Sequence, residues 1–448
     1  MKTVLALLFC ASLMAGQTVR AETSDTRAPG DVAWTIIEGL TTEVGPRLAG
    51  TEAEARARAW ALAHLRLLGF SNVHEQPFEM STWVRGMEEA EVVTPYPQRL
   101  VITALGGSAS TGKAGLEAEI VYFPTIDALR AAPDGSLKGK IAFISHAMRP
   151  TQDGSGYAAF GEARFSGPGI AAQKGAAAAI IRSIGTDHHR TPHTGSTTFE
   201  PGVKPIPAGA LSVPDAENLE RMLARGPVRL RLLLTPRDIG LRKSGNVIAD
   251  LPGTDPALPP ILIACHLDSW DLGTGAIDNA AGCGIITAAA ETLMESPRKR
   301  TVRLLWAGSE EMGARGGKAY AEASHNLPHA LAMESDFGSD RIWRIDLKLP
   351  ENATSLTARI AARLAFLGIV KGSGEAHGGS DVRPLIEQQK LGAIDLRQDG
   401  TRYFDLHHTP DDTLDKVDQD QLRQTVAAWT IVLSELANYE GELSLRGK

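Results

Sequence analysis

A chain of 448 residues, 43% of them hydrophobic, is long enough for two or three domains and can fill more than one core. Its formal net charge is -7 and its basic residues are spread along the chain, which leaves no electrostatic footprint for nucleic acid or an anionic membrane. The 3 cysteines are too few for a disulfide scaffold, so the fold rests on its cores.

The chain opens MKTVLALLFCASLMAGQTVRA. A Lys2 n-region, an apolar run and a small-residue pattern at Val19 and Ala21 predict a secretory signal peptide over 1–21, a mature chain from Glu22, and a secreted or periplasmic protein. Cys10 follows Phe9, where a lipoprotein signal would carry a small residue, so it is read as part of the removed segment. No later stretch reaches the roughly 18 apolar residues of a spanning helix, and the membrane is not an expected partner.

Apolar residues recur at three- and four-residue intervals over 31–44 and 52–68, which predicts two amphipathic helices, the second ended by Gly69. VHEQPFEM and RLVITAL read as strands. Between 108 and 237 the texture changes to short strands (AEIVYF, GKIAFIS, AAAAIIRS, VRLRLLL) separated by Gly, Pro, Ser and Thr, and this stretch reads as a self-contained insertion.

Beyond it the chain alternates regularly. NVIADLPG, ILIACH, VRLLWAGS, ALAMESD and LGAIDLR are strands, and helices are expected over 279–295, 317–324, 355–367 and 418–439. Strands apolar on both faces, alternating with helices, imply an α/β fold with a mostly parallel central sheet flanked by helices. The larger domain is therefore discontinuous, 22–107 with 238–448, around a smaller one at 108–237.

In such a sheet ligands gather outside the carboxyl ends of the strands. ILIAC ends in His266 and Asp268, VRLLWAG in Ser309, Glu310 and Glu311, and ALAMES in Asp336, while LGAIDLR leads through TRYFDL to His407 and His408. So many carboxylates cannot share one edge without cations among them. Imidazole and carboxylate without thiolate suits zinc, with cobalt or manganese less favoured. Five candidate ligands exceed the three of a mononuclear catalytic zinc, so two ions sharing Asp278, at the start of a helix with a Gly-rich approach, fit better. Cys265, adjacent to His266 on a strand, should face away from the site toward a helix. Cys265 and Cys283 sit in small apolar surroundings and are read as buried free thiols, with a bridge between them as the alternative.

Taken together, HLDSWDLGTGAIDN, GSEEMG, MESDFG, HGGSD and YFDLHHTPDDT resemble the M28 family of zinc aminopeptidases and carboxypeptidases, and within it the plasma glutamate carboxypeptidase group. The likeness covers nearly the whole mature chain, and KGAAAAIIRS, TPHTG and IPAGALSVPDAENLERM are similar to a protease-associated domain. The resemblance implies a zinc aminopeptidase/phosphorylase-hydrolase-like fold and two zinc ions per subunit, with His266 and Asp336 on one, Glu311 and His408 on the other, and Asp278 bridging. It makes Glu310 the general base and dipeptides or short peptides with a free amino end the substrates. His407 occupies a place where some relatives carry a tyrosine, and it is read as a supporting histidine. Asp268 is expected to accept the second ring N–H of His266, and Ser380 and Asp381 to support the site from outside the ligand shell. DHHRTPHTG is a polar loop on the plain reading; on the sharper one, His193 borders the active site, across a homodimer interface if the chain pairs as the matching group does.

Other classes fit poorly. The chain holds no G-x-S-x-G elbow for a serine hydrolase, and GTGAIDNAAGCG lacks the G-x-G-x-x-G spacing for a dinucleotide. A carboxypeptidase on C-terminal residues, an amidohydrolase or cyclase acting on a terminal residue, and a zinc-binding relative with weak catalysis remain as alternatives.

Overall fold

The computed structural model describes residues 30–446. The expected leader over 1–21, with Cys10, lies outside them.

Two eight-stranded sheets organise the chain. At the centre of the first, Val302–Ala307, Ile261–His266, Leu331–Glu334 and Gly392–Gln398 lie side by side and parallel. The long strands Arg237–Leu251 and Ser71–Val84 extend one side antiparallel, and Ile342–Lys348 adds an antiparallel strand on the other. Side-chain alternation sorts the core: Ile263 and Cys265 join the helices Asp31–Gly39, Ala281–Thr292 and Gln419–Ala437 on one face. Leu262 and Ala264 join Arg315–Ala323 and Arg383–Gln389 on the other. Both faces are thus covered, as apolar parallel strands require.

Local signals set the helix ends. The Thr51 hydroxyl caps Glu52–Leu67 by accepting from Glu54 N, while the Glu54 carboxylate reaches back to accept from Gly50 N, one residue before the cap. Gly69, at φ 92°, takes the left-handed turn that ends this helix. Asp418 caps the last helix through Asp420 N and Gln421 N. The first helix ends differently from expectation: its α-helical part stops at Gly39 and the chain continues as a wider π-turn over Leu40–Val44.

The second sheet runs Gln98–Leu100, Glu88–Thr94, Arg229–Leu234, Leu116–Phe123, Ile141–Ile144, Ala178–Arg182, Ala208–Leu211 and Ile102–Ala104. It begins at Glu88 rather than near Ser108. Glu88–Thr94 pairs with Arg229–Leu234, a partner far along the chain that local alternation could not reveal. The segment RLVITAL likewise divides into two short strands on opposite edges of this sheet.

Cys265 and Cys283 are joined by a disulfide, which corrects the reading of two free thiols. The strand does turn Cys265 away from the site toward the helix Ala281–Thr292, and that same orientation brings it against Cys283. Small residues along both elements allow the approach. No helix among the described residues is long and apolar enough to cross a membrane.

Candidate metal centre

Adjacent parallel strands end at one level, and their C-terminal residues converge. His266 is buried, and its Nδ1 faces the Asp268 carbonyl at 2.9 Å. A carbonyl only accepts, so Nδ1 carries the hydrogen and Nε2 is left free. That Nε2 lies 2.9 Å from Asp278 Oδ1 and 3.2 Å from Asp336 Oδ1. On the far side, His408 Nε2 lies 3.2 Å from Asp278 Oδ2 and 3.1 Å from Glu311 Oε2. One carboxylate thus presents one oxygen to each imidazole, and every other predicted ligand surrounds it.

The approach to Asp278 is built for closeness. A Cβ on Gly282 would collide with the Ser335 carbonyl, so the helix can lie against the strand end that carries Asp336 only with glycine there. Asp412 holds the turn, accepting from Ile277 N at 2.6 Å and Asp278 N at 3.2 Å. Buried Arg47 donates to the Thr274 and Gly275 carbonyls of the same loop.

Electrostatics show what this arrangement lacks. Burial works against protonation of His266 but is outweighed by Asp336 and by bonds to neighbouring carboxylates, so its pKa rises well above the usual imidazole value. His408 follows the same pattern, raised to about 9 against burial by Glu311 and Asp278. Burial, followed by neighbouring carboxylates, raises Glu310 well above the ordinary range. Protons are drawn to these nitrogens because carboxylates crowd around them. Glu311 Oε1 is also buried without a hydrogen-bond partner. Metal cations among these groups would answer both conditions, so the donor set fits a metal centre.

Around His408 two donor choices arise. Asp278, His407 and His408 offer atoms close enough to share one ion. The His407 Nε2 is 3.7 Å from Asp278 Oδ2, however, and its ring lies stacked on His408 at 3.5 Å between centroids. Glu311 is nearer to His408 and has the orphaned oxygen, so it is the better donor. His407 is held well below the usual imidazole pKa, by burial first and then by His408, and it stands as a neutral ring on the cavity wall.

Asp268 departs from expectation. Its carboxylate is 3.7 Å from His266 Nδ1, which faces the Asp268 backbone instead. The carboxylate accepts from Glu310 N at 3.0 Å and Glu311 N at 3.3 Å, so it holds the Glu-Glu turn. Ser380 lines the cavity, whereas Asp381 is fully buried behind it, its N–H donating to Glu334 Oε2 at 2.9 Å. His193 comes from the second layer. Its Nδ1 lies 2.7 Å from the His407 carbonyl and its Nε2 2.6 Å from Asp187 Oδ1, within this one chain.

A cavity of about 760 Å³ opens over these groups. Two of its walls were not foreseen: Tyr157 and Arg164, from the helix Gly156–Phe165 of the second layer. No spacing in the sequence links them to the strand-end acids. Asp412 could have been suspected from its place four residues after His408 in HTPDDT.

The model of peptidase family M28 matches residues 246–432. Carboxypeptidase Q of Bos taurus is 31% identical over 90% of this chain and 84% of its own length. The crystal structure of a peptidase M28 precursor from Shewanella amazonensis SB2B superposes with a TM-score of 0.89 at 44% identity, covering 92% of this chain and 94% of that one. A zinc aminopeptidase from Bacillus subtilis shares the fold at TM-score 0.65 and 20% identity, over 92% of this chain and 96% of that one. A chain matching such relatives along nine-tenths of its length, with acids and imidazoles gathered at its strand ends, belongs to peptidase family M28 and is a metallo-exopeptidase.

Proposed function

We propose that the chain hydrolyses dipeptides or short peptides with a free amino end. In this reading His266 and Asp336 hold one zinc ion, Glu311 and His408 a second, and Asp278 is shared. The observation that carries it is the Asp278 carboxylate, with Oδ1 at 2.9 Å from His266 Nε2 and Oδ2 at 3.2 Å from His408 Nε2. Bound zinc would supply polarisation of the scissile carbonyl and a water acidic enough to lose a proton near neutral pH.

The chain's own residues do the rest. Glu310 accepts the proton of the attacking water at its carboxylate and returns it to the leaving amine. Its raised pKa suits a group that must hold that proton between the two transfers. Asp268 keeps Glu310 and Glu311 on one rigid turn through their backbone N–H groups. His407 and Ser380 face the bound peptide from the cavity wall. Asp381 steadies Glu334, and His193 steadies His407.

The second sheet, from Glu88 to Leu234, is read as the protease-associated-like insertion. Export to a periplasmic or extracellular space belongs to the same reading, supported by the leader in the sequence and by the Cys265–Cys283 disulfide. Cleavage at a free carboxyl end is the second reading, favoured by Lys318 and Arg383 on the cavity wall.

Asp278→Ala tests the centre. Elemental analysis of the purified variant should find both zinc positions largely empty, because each ion loses a ligand. Wild-type zinc content would overturn the shared-carboxylate reading.

A further inference from the structure

The helix Gly156–Phe165 belongs to the second layer, yet it sends two side chains into the cavity over the strand ends. Tyr157 and Arg164 lie seven residues apart, two turns along one helix face. The Tyr157 ring is wedged in place. It stacks on Phe404 with centroids 4.7 Å apart and meets His407 edge-on at 5.3 Å and Phe165 edge-on at 6.5 Å. Such packing leaves the ring little freedom and fixes where its hydroxyl points.

Arg164 is 3% exposed, and its Nη2 donates to the Tyr157 hydroxyl. A guanidinium has no acceptor, so the phenol oxygen accepts in that bond and its own hydrogen must point elsewhere. Among the described residues no acceptor is found for that hydrogen. The Tyr157 side chain lines the cavity that Glu310, Asp336 and Asp278 also line. Burial keeps the phenol protonated, with the Arg164 cation only partly opposing, so Tyr157 can donate but not serve as a base.

Strand-end carboxylates line this cavity, and the second layer adds a cation with a neutral O–H in front of it. When water adds to a peptide carbonyl, the C–O bond to water forms and the carbonyl π electrons move onto the carbonyl oxygen. A preorganised donor aimed at that oxygen stabilises the transition state more than the ground state.

We propose that Tyr157 is a catalytic residue of this peptidase, its O–H donating to the scissile carbonyl oxygen as that oxygen gains charge, with Arg164 as its positioning residue. No proton leaves Tyr157. The electrons return as the C–N bond breaks, and the amine takes its proton from Glu310. The inference rests on the hydrolytic reading above, and it gives the second layer a part in the chemistry beyond orienting His407 and His408.

Tyr157→Phe removes the hydroxyl and keeps the ring. With a dipeptide substrate kcat should fall by about 10²-fold with KM little changed, the usual worth of one such donor. Zinc content and thermal midpoint should match the wild type. A phosphinic dipeptide analogue, whose tetrahedral P–O⁻ stands in for the charged oxygen, should lose affinity by the same factor as kcat/KM. Glu310→Gln, assayed alongside, separates the two ideas: an inactive Glu310→Gln with an unimpaired Tyr157→Phe would overturn the Tyr157 role alone. A fully active Glu310→Gln would sink the hydrolytic assignment itself. Loss of rate in Tyr157→Phe that follows loss of zinc, with analogue affinity unchanged per zinc-loaded site, would also overturn the proposal.

Discussion

Thr194 and His408 are joined by two backbone-anchored hydrogen bonds that run in opposite senses. Thr194 N–H donates to the His408 carbonyl at 3.0 Å, and the Thr194 carbonyl faces His408 Nδ1 at 3.2 Å. Because a carbonyl only accepts, Nδ1 carries the hydrogen and Nε2 is left for Asp278 and Glu311. Arg164 Nη1 also lies 3.2 Å from that Nδ1, but both atoms are donors, so its hydrogen bond is the one to the Thr194 carbonyl at 3.3 Å. The pairing also holds His408 at φ 63°, a backbone conformation that costs on the order of 1–3 kcal/mol and persists only when its surroundings enforce it. A loop of the second layer thus orients a side chain at the strand ends of the first.

The Thr194 hydroxyl anchors that loop, donating to the Ala104 carbonyl at 2.9 Å and accepting from Arg85 Nη2 at 3.1 Å. Thr194→Val should loosen the carbonyl that fixes the His408 tautomer and weaken zinc binding by about tenfold, the lower end for such supporting contacts. Competition with a chromogenic chelator measures this. Unchanged affinity would show that the backbone pairing holds without the hydroxyl.

Glu310→Gln keeps the size of the side chain and removes its basicity. Turnover should fall by about 10² to 10⁴, the range for a general base. The zinc content should stay near that of the wild type, since Glu310 is not one of the proposed ligands. Elemental analysis and kinetics on one preparation check both halves.

The disulfide between Cys265 and Cys283 closes a loop of sequence separation 18. On the chain-entropy account a loop of this length contributes about 3 kcal/mol. A Cys265→Ala, Cys283→Ala double variant should unfold at lower urea concentration, its unfolding free energy reduced by about that amount. Added reductant should then change the wild type and not the variant.

His329 is buried, its Nε2 2.8 Å from the Tyr320 hydroxyl. Burial, with the Arg303 charge behind it, lowers its pKa to about 4. Between that value and the unfolded value of about 6.5 the unfolded chain binds the extra proton. Its neutral state therefore contributes stability in full above pH 6.5, and that contribution is lost as pH falls toward 4, at up to about 1.4 kcal/mol per unit. Denaturation curves of wild type and His329→Gln across this window should show a shallower pH dependence in the variant.

Much of the centre was legible before any coordinates. His266, Glu310, Glu311 and Asp336 follow apolar runs of strand length, and a parallel sheet carries such residues to one edge whatever its finer geometry. Cys265 was rightly turned from the site by strand alternation, yet its bond to Cys283 was not legible, because alternation gives a direction and no distance. Asp268 was assigned to the right neighbourhood and the wrong partner, since whether a ring nitrogen meets a carboxylate or the adjacent carbonyl depends on the turn after His266.

The order of residues by itself determined the α/β architecture, the peptidase family and the group of strand-end acids and imidazoles, because periodicity and element boundaries are local properties of a chain. Only the tertiary structure decided that the second sheet begins at Glu88, that Asp278 presents one oxygen to each imidazole, and that Tyr157, Arg164 and Thr194 reach the same centre. Those contacts join segments far apart in sequence, and they arise from how two sheets pack, which no local pattern encodes.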